Sequence, residues 1–69
     1  MKMFRLGQFV RVNRYDPPVT DRNGKPVQPV GEHARVTYID EAGLGRLVLL
    51  KSRVLIHDVV PEDCDPAGV

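Results

Sequence analysis

Four of the chain's six prolines, Pro17, Pro18, Pro26 and Pro29, fall within residues 15–31. Proline lacks an amide donor and has a fixed φ, so neither a helix nor a central strand can run through that stretch. The fold must therefore be built from what lies on either side. There the β-branched residues recur: Val10 and Val12 before it, and Val36, Val48, Val54, Ile56, Val59 and Val60 after it. Side chains of this kind favour strands.

The pattern resolves into short β segments. Over residues 8–14, Val10 and Val12 alternate with Arg11 and Asn13. One face is apolar and the other polar, as a half-buried strand requires. Phe9 falls on the polar side. Over residues 32–40, Ala34, Val36 and Tyr38 alternate with His33, Arg35 and Thr37, until Ile39 breaks the alternation. The break predicts a bulge or sharp twist near the strand end. Residues 41–45 carry two glycines and read as a turn. Residues 46–50 form the third strand. The continuous apolar run Leu47-Val48-Leu49-Leu50 implies burial on both faces, or a partner on the second. Residues 53–57 form the fourth, and residues 58–60 are expected to close the sheet as a short fifth. No segment sustains a 3.6-residue period, so no helix longer than one turn is predicted.

Inside the proline-rich connection, Asn23-Gly24 is a strong turn signal between the β-prone pairs Val19-Thr20 and Pro26-Val27. The connection is expected to fold back on itself with Asn23-Gly24 at its tip. The prolines lower the entropy lost in ordering it.

Sixty-nine residues make one small domain with a thin core. The expected organisation is one domain over 1–63 and a disordered acidic tail over 64–69. Charge is uneven. The net formal charge is +1, yet residues 61–69 carry −3 and residues 1–60 carry +4. Seven of the ten basic residues are arginine, the side chain suited to planar recognition of phosphate and carboxylate. Cys64 is the single cysteine, so an intrachain disulfide is excluded. With no secretory leader pattern and no long apolar run, a cytoplasmic location and no membrane contact are expected.

The layout resembles small SH3-like barrels: a Gly-led strand, a long loop, a second Gly-led strand, a tight turn and further strands. Gly7-Gln8-Phe9-Val10-Arg11-Val12 is similar to the opening of KOW-type domains, and Gly31-x-x-Ala34-x-Val36-x-x-Ile39-Asp40 to their central strand. The resemblance spans residues 5–63. It implies an all-β fold, a five-stranded SH3-like barrel with a long proline-rich first loop. That loop departs from KOW-type domains, in which it is short, and the aromatic pairs with which SH3 domains bind proline-rich peptides are missing.

No constellation points to catalysis. His33, His57, Asp58 and Cys64 are the possible metal ligands, without CxxC or HxxxH spacing. Gly43-Leu44-Gly45-Arg46 lacks the spacing of a phosphate loop. His57 and Asp58 are strand neighbours that should point to opposite faces. The chain is therefore expected to be a binding module and not an enzyme, with no cofactor and no metal.

The candidate binding residues are basic. Arg11, Arg35 and Arg53 fall at strand positions expected to face outward, with Arg14 and Arg46 near strand ends. Together they suggest a basic stripe for RNA or DNA, because each arginine near a phosphate releases counterions. Arg22 and Lys25 flank the loop tip, and Tyr15 is a candidate for base stacking. The alternative is a protein partner or self-association through the apolar runs at 47–50 and 54–56.

Overall fold

The computed structural model describes residues 3–67. The strands are β1 (Phe9–Val12), β2 (Val19–Thr20), β3 (Pro26–Val27), β4 (His33–Ile39), β5 (Gly45–Leu49), β6 (Leu55–Val59) and β7 (Cys64–Pro66). One 3₁₀ turn, Pro61–Asp63, joins β6 to β7. Five strands form an antiparallel sheet in the order β6-β5-β4-β1-β7, and β2 and β3 form a separate hairpin. The fold is all-β.

The alternations do what period 2 demands. Val10 and Val12 of β1, Ala34 and Val36 of β4, and Leu47 and Leu49 of β5 all turn inward and are buried. Phe4, Ile56, Val59 and Cys64 complete the core, and Tyr15, Val19, Val27, Ile39 and Val54 pack against it. Val10 pairs with Ala34, and Val36 with Leu47, so inward residues meet across the sheet.

Two bulges set which residues leave the core. Between Val36 and Tyr38 the β4–β5 register shifts, leaving Thr37 as the extra residue. The Thr37 hydroxyl donates to the Arg46 carbonyl at 3.1 Å. Beyond the bulge, Tyr38 pairs with Arg46 and is 49% exposed, while Ile39 packs on the core. The expected irregularity is present, but it turns Tyr38 away from the face of Ala34 and Val36. The second bulge lies in β6: Ile56 pairs with Leu47 but Val59 with Gly45. The extra residue sits at Asp58, with φ +56. It lets Ile56 and Val59, three apart, both point inward. His57 and Asp58 are both exposed, not on opposite faces of a regular strand.

The proline-rich connection is an ordered hairpin. Val19 pairs with Val27 and Thr20 with Pro26. Of the tip residues only Gly24 has positive φ (+79), and its amide donates to the Asp21 carbonyl at 3.0 Å. This is a type I turn followed by a left-handed glycine, not the two-residue turn Asn-Gly usually forms. The Asp21 carboxylate accounts for the choice, because it accepts the amides of Asn23 and Lys25 at 2.8 and 3.0 Å.

The C-terminal segment corrects the expectation. Residues 58–60 are not a separate closing strand: Asp58 and Val59 belong to β6. The closing strand is β7, Cys64–Pro66, inside the stretch expected to be a disordered tail. It pairs with β1 through Val12 and Cys64, Arg11 and Asp65, and Val10 and Pro66. Two forces hold it: Cys64 is fully buried, and Asn13 Nδ2 donates to Asp65 Oδ2 at 2.7 Å. The expected tail beyond residue 67 lies outside the described residues.

Candidate functional site

Outward-facing residues of the large sheet form the candidate site. Because paired residues share a face, the register defines rows across it. Leu55 of β6, Val48 of β5, Arg35 of β4 and Phe9 of β1 form one row. His33, Arg11 and Asp65 form the next. Arg46 and Tyr38 form a third, on the other side of the Thr37 bulge.

Arg35 is held flat. Its guanidinium carbon lies 5.7 Å from the centre of the Phe9 ring. A Cβ built at Gly7 would sit 3.6 Å from Arg35 Nη2, so the guanidinium lies over Gly7 as well. Phe9 is half-buried beneath it. Arg46 is held the same way, 4.7 Å from the centre of the Tyr38 ring. Such pairing restrains a flexible cation without neutralising it. Among the described residues one salt bridge forms, between Arg14 and Asp16 at 3.3 Å. Among the described residues Arg11, Arg35, Arg46 and Arg53 form no salt bridge, though Asp65 faces Arg11 across β1 and β7.

The predicted residues are only partly gathered. Arg11 and Arg35 share the outward face, as their alternation implies. Arg53 does not lie on a strand. It sits in the β5–β6 turn with φ +60, its amide donating to the Leu49 carbonyl at 2.9 Å. From there its side chain borders two shallow hollows. One is shared with Val48 and Leu50. The other is shared with Arg22 and Asn23 of the hairpin tip and with Ser52. Arg22 and Arg53 thus flank one cleft, and Lys25 is exposed but does not line it. The Glu32 carboxylate fixes this corner by accepting the amides of Lys51 and Ser52 at 3.0 and 2.8 Å.

Tyr15 does not face the site. It packs against the core, and its hydroxyl donates to the His57 carbonyl at 2.9 Å. The ring holds the start of the long connection against the β6 bulge. Arg46 with Tyr38 is the pair sequence reasoning did not single out. The one signal for it was the broken alternation at Ile39.

No family model matches this chain, and no curated protein or solved structure matches it.

His33 and His57 are on the exterior and apart in the fold. Cys64 is enclosed by the core, and burial, reinforced by Asp63 and Asp65, pushes its thiol up to about 11. It stays a protonated thiol near neutral pH, the opposite of an activated nucleophile. Among the described residues no three of His, Cys, Asp or Glu cluster closely enough to hold a metal ion. No helix is long and apolar enough to cross a membrane.

Proposed function

We propose that this chain is a non-enzymatic module that binds nucleic acid on the outward face of its sheet, and that the sheet is an SH3-like barrel. Three features support the fold reading. The strand order is β6-β5-β4-β1-β7, a long hairpin-bearing connection separates β1 from β4, and a 3₁₀ turn precedes the closing strand. The similarity to KOW-type domains belongs to the same reading.

One observation carries the functional reading: Arg11 and Arg35 share one sheet face, among the described residues neither forms a salt bridge although Asp65 stands opposite Arg11, and Arg35 is pre-positioned over Phe9. Charged side chains held in place lose little entropy on meeting phosphates, and each contact releases counterions. The reading assigns the chain no catalytic step and a cytoplasmic setting.

The test is a ¹⁵N–¹H correlation titration with pooled single- and double-stranded oligonucleotides at two salt concentrations. Salt-sensitive shifts are expected at Phe9, Arg11, His33 and Arg35. Arg35→Glu should weaken binding about tenfold and lower the salt slope by about one. A spectrum unmoved by any oligonucleotide overturns the reading.

A second reading, association with protein or with itself, is favoured by Leu50 and Leu55, which are 44% and 43% exposed. These residues explain why the 47–50 run is apolar throughout although only Leu47 and Leu49 are buried. Shifts that depend on protein concentration alone, centred on those two leucines, would favour it.

A further inference from the structure

The proposed face holds more than charge. Val48 and Leu55 lie in the same row as Arg35 and Phe9, so apolar side chains flank the ring-backed Arg35 guanidinium. Below that row the Thr37 bulge brings up a second flat guanidinium, Arg46 on Tyr38. Two arginine–aromatic pairs thus stand on one surface, one across β1 and β4 and the other across β4 and β5.

A duplex makes poor use of such a surface. It hides the faces of its bases and offers chiefly phosphates and groove edges. Apolar side chains and guanidinium planes are then wasted. A single strand offers phosphates and unstacked base faces together, and bases stack readily on guanidinium planes and aromatic rings.

Resting on the nucleic-acid reading above, we infer that the ligand class is single-stranded nucleic acid, and that it runs across β4 and β5 with Arg46–Tyr38 as a second anchor beside Arg35–Phe9. Arg46 contacts phosphate or base directly. Tyr38 acts by holding the Arg46 guanidinium flat. Stacking recognises any base, so sequence preference is weak.

Fluorescence anisotropy with the full chain tests this, using a labelled 12-nucleotide oligouridine and a 12-base-pair duplex at low and moderate salt. The single strand is expected to bind at least about tenfold more tightly than the duplex. Arg46→Gln should weaken single-strand binding about three- to tenfold and flatten the salt dependence by about 0.7, the slope for one phosphate. Tyr38→Ala keeps the charge and should still weaken binding, while Tyr38→Phe, which keeps the ring, should restore it. Both positions are exposed, so thermal melts of the variants should match the parent. Equal affinity for duplex overturns the inference, as does Arg46→Gln binding normally while Arg35→Gln does not. Either result leaves the nucleic-acid reading standing. Failure of the parent chain to bind either oligonucleotide overturns both.

Discussion

A Cβ added at Gly45 would lie 2.7 Å from both Cδ2 and Cε2 of Phe4, and 3.0 Å from Cδ1 of Leu47. Gly45 is buried at the start of β5, paired with Ile39 on one side and Val59 on the other. Its role is close approach, because the missing side chain is the space the Phe4 ring occupies. Gly45→Ala also stiffens the unfolded chain, which alone would stabilise by about 0.4–1 kcal/mol. The clash is larger. Overpacking a filled core costs about 1–3 kcal/mol, and a ring wedged into that core has little room to withdraw. The expected net effect is a loss of about 1–2 kcal/mol in urea denaturation, with unchanged m-value. Replacing Phe4 by Leu in the same chain should recover part of it. A Gly45→Ala variant as stable as the parent would mean that Phe4 does not pack there.

Among the elements, β7 carries the sharpest consequence. It covers the free edge of β1, buries Cys64 against the core and, through Asp65, takes the Asn13 side chain. A chain ending at Asp63 would uncover that edge and leave a void beside Val12. It should lose its cooperative thermal transition, since a domain this small has little stability to spare. An unchanged melt would mean the segment is the disordered tail its composition suggests. That composition explains why β7 was not legible: Asp65 and Pro66 are poor strand formers, and tertiary pairing overrides them. β1, β4 and β5 were legible because their alternation is local and long enough to read. Arg11 and Arg35 were placed correctly for the same reason. Arg53 was not, because a four-residue turn rather than a strand occupies residues 50–53. Arg46 belongs to the expected basic stripe, but its pairing with Tyr38 is not legible, because a bulge moves side chains between faces without a residue type that announces it.

At the scale of the whole molecule, the core is ten buried side chains drawn from four of the five sheet strands together with Phe4 and Cys64, the latter from β7. Cys64 is the one ionisable group among them, so its proton reports on global folding. In the folded chain its pKa is raised to about 11, against an ordinary 9.0, first by burial and then by Asp63 and Asp65. Below pH 9 the thiol is protonated in both states and contributes no pH dependence. Above pH 9 the unfolded chain releases the proton while the folded chain retains it. The unfolded state then binds fewer protons, and stability falls as pH rises. The fall continues to about pH 11. The informative quantity is a difference between two variants. Cys64→Ala should be less stable than the parent at pH 7, because it leaves a small cavity, yet should lose stability less steeply between pH 9 and 11. Urea denaturation at half-unit pH steps measures both slopes. Parallel slopes would mean that the thiol meets water in the folded chain, and with that the docking of β7 onto β1 would fail as well.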